Sequence, residues 1–172
     1  MGNTVMKILG TILWCVGLKR LVTPAIITAF DASMTKAKSR GWGEIFIFSD
    51  IHDTIIKPNY KAGDIPTEFY PHAKEALQML SERRDMILGL YTCSHPHEIE
   101  EYLTFFKSHG INFEHVNENT DVVTEEGGYG CYDKKPYFNV LMEDKCGFDA
   151  KNDWIAIIDY LDSTEELKEN KN

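Results

Sequence analysis

Short apolar runs and longer amphipathic stretches alternate along most of the chain. Four runs of aliphatic, β-branched and aromatic residues predict buried strands: 45–49, 86–91, 111–116 and 138–142. Three stretches with apolar residues at helical spacing predict helices: 71–83, 96–109 and 153–167. Apolar strands that alternate with helices are typical of a parallel sheet covered by helices on both faces. The pattern therefore predicts an α/β domain with a three-layer, Rossmann-like fold.

The N-terminal part of the chain does not follow this pattern. Between residues 8 and 30 the only charged side chains are Lys19 and Arg20, which separate two apolar runs. Neither run reaches the roughly 20 residues that a membrane-spanning helix needs, and two cations at the centre of a span would be costly. Three interpretations stay open: a helical extension packed on the domain, attachment to a membrane surface through residues 5–30, and a true membrane span.

A polar stretch that contains glycine separates this extension from the rest of the chain. Residues 31–43 are predicted to form the end of the extension and a linker. We therefore divide the chain into an extension with its linker (1–43), a globular domain (44–167) and a polar tail (168–172).

Length, charge and cysteine content limit the class of protein. A chain of 172 residues has room for one core. Its net charge of -9 argues against binding to a nucleic-acid backbone, because such binding depends on Lys and Arg that neutralise phosphates. The four cysteines form no CxxC pair, which predicts reduced thiols and a cytoplasmic protein: Cys15, Cys93, Cys131 and Cys146.

Residues that can carry chemistry follow each predicted strand. In sheets of this kind ligands bind where the strands end, so these groups are expected to converge on one edge. They are Asp50, His52, Asp53 and Thr54; Thr92, Cys93, Ser94 and His95; Asn117, Glu118 and Asn119; and Glu143, Asp144 and Lys145. Acidic residues after the first and fourth strands can hold a hard cation such as Mg²⁺, which takes oxygen ligands and commonly a substrate phosphate.

The other groups at this edge suit a phosphoryl substrate. The hydroxyl of Thr92 or Ser94 can donate to a phosphoryl oxygen, and Lys135, just before the fourth strand, can neutralise its charge. An aspartate beside a metal, here Asp50, can attack phosphorus as a covalent nucleophile. The set predicts Mg²⁺-dependent phosphoryl transfer through an aspartyl phosphate.

Four segments, in order along the chain, resemble the motifs of the haloacid dehalogenase (HAD) superfamily of phosphohydrolases. They are DIHDT at 50–54, for the family pattern DxDxT; Thr92 in LGLYTCS; Lys134 or Lys135 in DKKPYF; and Glu143 with Asp144 in NVLMEDKCGFD. The resemblance extends from about residue 45 to 161. Within the superfamily the chain is similar to small stand-alone hydrolases of bacteria and phages, which implies a HAD-type fold.

The resemblance also implies a role for each matching residue. Asp50 would be the nucleophile and a Mg²⁺ ligand, and the backbone carbonyl of His52 a second ligand. Thr92 and Lys135 would hold the phosphoryl group. Asp144, together with Glu143, would complete the metal site. The expected partner is a phosphorylated substrate, with nucleotides among the candidates.

Two positions depart from the family pattern. His52 stands where the family has an aspartate that protonates the leaving group, and Glu143 replaces a more usual aspartate. Imidazole exchanges protons near neutral pH, so His52 could supply the proton. The alternative is a pseudo-phosphatase that binds metal and phosphate without turnover.

The spacing of the motifs leaves no room for a large cap domain. A helix takes up much of the stretch between Thr54 and Thr92, and a helix and a strand take up the stretch from Thr92 to Lys135. An open, capless site is therefore expected. A receiver-type signalling domain is less favoured, because its lysine would follow a fifth strand.

Overall fold

The computed structural model describes residues 23–59, 61, 63–127 and 130–167. The helices are α1 (Ala25–Arg40), α2 (Ala73–Glu82), α3 (Pro96–Ser108) and α4 (Asp153–Ser163). The strands are β1 (Ile45–Ser49), β2 (Met86–Leu90), β3 (His115–Val116) and β4 (Val140–Met142), and a short 3₁₀ helix spans Asp144–Cys146. The strands form one parallel sheet in the order β3-β2-β1-β4. The predicted α/β, Rossmann-like architecture, with helices flanking a parallel sheet, is confirmed.

The central strand β1 is buried along its whole length. Its residue Ile47 pairs with Leu88 on β2 and with Val140 on β4. Because side chains alternate between the two faces of a sheet, Ile45 and Ile47 point to one face, where they join the core formed with the helices. The continuous apolar run thus reflects burial on both faces.

The other face of β1 carries an aromatic layer. Phe46 lies edge-on to Tyr137, and Phe48 packs against Phe138 and stacks on His115. A Cβ atom on Gly89 would lie 2.6 Å from the Phe48 ring, so only glycine fits there. Part of this layer comes from the crossover segment 117–139, which links one edge of the sheet to the other without helix or strand in its described residues.

Helix α1 occupies most of the segment in which a linker was predicted. Residues 31–43 were expected to form the end of the extension and a linker, but the helix continues to Arg40. Its residues Phe30, Met34 and Ala37 are buried in the same core as the sheet, and the Phe30 ring lies 5.5 Å from Tyr160 of α4. Residues from α1 onward therefore share one core, and the division at residue 43 does not mark a change of structure. Residues 1–22 of the predicted extension lie outside the described part.

The last helix ends earlier than the apolar pattern predicted. Helix α4 stops at Ser163 instead of residue 167, and the chain then becomes extended. Arg83 donates to the carbonyls of Thr164 and Glu165, and Asp85 accepts from the Leu167 N–H. These bonds give the backbone of 164–167 partners that a helix would otherwise have supplied.

The two outer strands are shorter than predicted. Regular pairing of β3 covers only its last two predicted residues; at the other end of the predicted strand, the Ile111 N–H bonds to Phe106 of α3 instead. Strand β4 begins at Val140, two residues later than expected.

Within the described residues, no helix is long and apolar enough to cross a membrane.

Candidate active site at the carboxyl edge of the sheet

A cavity of about 910 Å³ lies at the edge where the strands end, which we call the carboxyl edge. Several residues predicted for the site line it together: Asp50, His52, Thr92, Ser94 and Glu143. Asp50 directly follows β1, and its N–H donates to Met142 of β4, so the ladder fixes its position. As predicted, residues distant in sequence meet at this edge.

Three carboxylates form a cluster in this region. Oxygen atoms of Asp50, Glu143 and Asp144 all lie within 4.8 Å of one another. Burial raises the pKa of Asp50. Burial, and then a hydrogen bond with Asp144, raises the pKa of Glu143. Acidic oxygens this close repel one another when ionised, so the donor set fits a single hard cation.

Lys145 is the cation nearest this cluster. Its Nζ lies 2.8 Å from Asp144 Oδ1 and 3.4 Å from Glu143 Oε1. This ammonium lowers the pKa of Asp144, and the two carboxylates raise the pKa of Lys145. Lys145 is largely exposed and lines the cavity, so its flexible side chain can also turn towards a bound anion.

The Thr92 segment is held by the side chain of Asn117, the residue directly after the neighbouring strand β3. Asn117 follows β3 in a left-handed conformation with a φ of 57°. Its amide accepts from the Thr92 N–H and donates to the Thr92 carbonyl, both at 2.8 Å. Thr92 Oγ1 in turn donates to Ser94 Oγ at 3.1 Å and accepts from the Ser94 N–H. Asn117 therefore takes the place of a backbone group and fixes the two hydroxyls expected to bind phosphate.

His52 has a buried partner. Its Nε2 lies 2.8 Å from the hydroxyl of Tyr102 on α3, and the two rings pack edge-on. Burial raises the pKa of Tyr102 to about 12, so this residue remains a neutral phenol near pH 7. Since Tyr102 occupies Nε2, the imidazole nitrogen left for a ligand is Nδ1.

Thr54 links the segment after β1 to the segment after β4. Its Oγ1 accepts from the Asp144 N–H at 3.2 Å, and its carbonyl accepts from the indole of Trp154 at 2.9 Å. Both Thr54 and Trp154 are fully buried. The threonine in DIHDT thus holds Asp144 near Asp50 instead of facing a ligand.

The structure does not bring Lys135 to the cavity. Lys134 and Lys135 are both exposed in the crossover segment, and neither lines the cavity. Sequence reasoning placed Lys145 and Asn117 at this edge of the sheet but gave neither a role, and it missed Tyr102. Lys145 had a visible signal, because it directly follows the acidic pair. The other two depend on contacts between distant elements.

Two cysteines also line the cavity. Cys93 follows Thr92, and Cys146 closes the 3₁₀ helix. Both are free and exposed, as is Cys131, and the described residues contain no disulfide. The redox state of the thiols stays a prediction, and Cys15 lies outside the described part.

Comparison with known proteins supports the fold. A scan against protein-family models and a search of curated proteins find no match. Among solved structures, the chain is similar to a conserved protein from Bacteroides thetaiotaomicron. The two are 21% identical, with a TM-score of 0.52, over 75% of this chain and 98% of that protein. At this identity, the likeness concerns the α/β architecture alone.

Proposed function

We propose that this protein is a Mg²⁺-dependent phosphohydrolase of the HAD type that acts through an aspartyl phosphate. The observation that carries the proposal is the cluster of Asp50, Glu143 and Asp144, in which a carboxylate at the end of the central strand meets two others. Thr92 and Ser94 line the same cavity. Acids for a cation and hydroxyls for phosphoryl oxygens are the groups that this reaction needs.

In the first step, a carboxylate oxygen of Asp50 forms a bond to phosphorus while the bond from phosphorus to the leaving-group oxygen breaks. The hydroxyls of Thr92 and Ser94 donate to phosphoryl oxygens. Mg²⁺, held by the acidic cluster and the His52 carbonyl, would neutralise the charge of the phosphoryl group. The leaving oxygen keeps the bonding electrons and takes a proton, for which His52, a residue of the cavity lining, is the candidate donor.

In the second step, water attacks the phosphorus of the aspartyl phosphate. The bond from phosphorus to the Asp50 oxygen breaks, phosphate leaves, and the free carboxylate is restored. A neutral His52 can accept a proton from this water. His52 would thus donate a proton in the first step and accept one in the second.

The test is phosphate release from a panel of phosphomonoesters, with and without Mg²⁺. We expect Asp50→Asn to lower the rate at least about a thousandfold, since the nucleophile is lost. Asp162→Asn, which changes an exposed carboxylate on α4, is the matched control and should leave the rate unchanged. An Asp50→Asn protein that releases phosphate at the wild-type rate would refute the proposal.

The source of positive charge is tested in the same assay. We assign it to Lys145, not to Lys135, because only Lys145 lines the cavity. Lys145→Met should raise the KM for phosphomonoesters about tenfold, while Lys135→Met should not change it. The opposite result would restore the prediction made from sequence.

A second candidate function is a binding module for metal and phosphate without turnover. The observation in its favour is the bond from His52 to Tyr102, which occupies one nitrogen of the residue that replaces the usual acid. A silent wild-type protein that binds phosphate and gains activity on His52→Asp would favour this function. Activity that falls on His52→Asp would favour the enzyme.

A further inference from the structure

The cavity is much larger than a phosphoryl group. Its volume of about 910 Å³ is at the upper end of the range for sites that enclose drug-sized ligands. The groups proposed for phosphate and metal occupy the part around Asp50 and Thr92. The remaining part has to accommodate the group that carries the phosphate.

An apolar wall lies beside Asp50 in this remaining part. Leu141 of β4 pairs with Phe48, and Tyr91 comes two residues after Gly89, which pairs with Phe48 on the other side. Residues two apart point to the same face, so Tyr91 lies opposite Asp50, and Leu141 lies opposite Phe48, two residues before Asp50 on that face. Both side chains line the cavity.

Tyr91 has an accessible ring. It is 39% exposed, and of the exposed large hydrophobic residues in the described part of the chain it is the one that lines this cavity. The Phe138 ring packs against it at 6.2 Å between centroids and supports it from the aromatic layer. A supported aromatic ring that still faces open space is a platform on which a planar ring can stack.

The charges of the cavity limit the ligand further. Its lining carries Asp50, Glu98 and Glu143 but only one lysine. A divalent cation and Lys145 together carry three positive charges, which match the three carboxylates of the acidic cluster. A bound phosphate then leaves an excess of negative charge, so any additional negative charge on the ligand would be unfavourable near Glu98. A monophosphate with an uncharged organic part fits better than a diphosphate or triphosphate.

We infer that the substrate is a nucleoside monophosphate whose base stacks on Tyr91, with the phosphate at Asp50. This inference rests on the proposed function and names its substrate class. Tyr91 then determines specificity through binding and takes no part in the chemical step.

The test compares adenosine 5′-monophosphate with glycerol 3-phosphate, which has no ring, and with inorganic phosphate. Dissociation constants with Mg²⁺ are measured by calorimetry, and kcat and KM by phosphate release. We expect the wild type to bind the nucleotide about tenfold more tightly than glycerol 3-phosphate. Tyr91→Ala should remove this preference by raising KM for the nucleotide at unchanged kcat, while Tyr91→Phe, which keeps the ring, should retain it.

Tyr132→Ala is the matched control. Tyr132 lines a different cavity, of about 570 Å³, near the residues that precede β1. Its replacement should change the affinity for neither adenosine 5′-monophosphate nor glycerol 3-phosphate. Equal affinity for the two esters in the wild type, or an equal loss of both in Tyr91→Ala, would overturn the inference and leave the proposed function standing if inorganic phosphate still binds. A protein that binds neither inorganic phosphate nor either ester would overturn both.

Discussion

Two buried aspartates at opposite ends of the sheet have very different surroundings. Asp85 precedes β2, is 1% exposed, and accepts two hydrogen bonds from Arg83 and one from the Leu167 N–H. Asp50 follows β1, is 9% exposed, and forms no ion pair within 4 Å among the described residues. Instead, two other carboxylates lie close to it.

The difference separates a carboxylate with a structural role from one for which we propose a catalytic role. A buried charge that is paired and fully hydrogen-bonded holds segments together, as Asp85 does for residues 164–167. A buried charge placed near others of the same sign lowers stability, and such sites are found where a ligand supplies the missing countercharge. The pairing of each carboxylate, more than its burial, indicates its role.

The largest expected effect concerns the paired carboxylate. Arg83→Met should lower the free energy of unfolding by about 3–5 kcal/mol, because it leaves Asp85 charged and buried without its partner. Urea unfolding measures the loss. Arg84→Met changes the exposed neighbour and should cost under about 0.5 kcal/mol. If the two variants were equally stable, Asp85 would not have the structural role described above.

The next effect concerns the cation at the acidic cluster. Mg²⁺ at a hundred times its dissociation constant should stabilise the wild type by about 2.7 kcal/mol, visible as a rise in Tm. Glu143→Gln should reduce this rise, and Asp162→Asn should not. A rise of equal size in Glu143→Gln would mean that the cation binds elsewhere.

A smaller effect is expected for two asparagines of the crossover segment, whose side chains have different hydrogen-bond partners. Asn117 bonds twice to the Thr92 backbone, while Asn119 bonds to the Tyr137 carbonyl and the Asp121 N–H. Substitution of either asparagine by alanine removes about two hydrogen bonds. It should lower the free energy of unfolding by about 1–3 kcal/mol. Only Asn117→Ala should also weaken the binding of inorganic phosphate, by about tenfold in calorimetry. Equal weakening in both variants would show that the effect is general loss of structure.

The smallest effect concerns Asp50 without metal. Burial raises the pKa of Asp50 in the folded protein above its value in the unfolded chain. As the pH rises between these two pKa values, the carboxyl is already ionised in the unfolded chain but still protonated in the folded protein. The free energy of unfolding therefore falls across this range. Asp50→Asn should therefore stabilise the metal-free protein at pH 7 and have little effect below pH 3, where the carboxyl is protonated in both states. Denaturant unfolding at both pH values measures this difference, and a destabilised variant at pH 7 would contradict it.

The fold was predictable because its main strands are buried on both faces. Strand β1 has the predicted bounds, and β2 differs by one residue, since their apolar runs leave few alternatives. Helix α1 was missed beyond Phe30 because its surface is polar. Its buried positions Met34 and Ala37 are small or isolated among lysines and serines, so the apolar stripe is narrow.

The candidate site was predictable where a residue directly follows a strand. Asp50, Thr92 and Glu143 reach the cavity because parallel strands end at the same edge. Lys135 lies in a long crossover whose path no periodic pattern specifies. The hydrogen bonds made by Asn117 and Tyr102 join elements that are far apart in sequence, and no local rule predicts such contacts.

The crossover segment also sets the order in which the acidic cluster can form. The Phe46 N–H bonds to the side chain of Asn139, a contact that spans 93 residues of sequence and fixes the edge on which β4 is added. Closing a loop of that length costs about 4 kcal/mol in chain entropy, whereas the closure that pairs β1 with β2 is less than half as long and costs about 0.7 kcal/mol less. We therefore expect β4 to be added late in folding. On a ribosome, Asp50 and Thr92 would come together well before Glu143 and Asp144 have left the exit tunnel, so the cluster of three carboxylates would form only when nearly the whole domain has been synthesised.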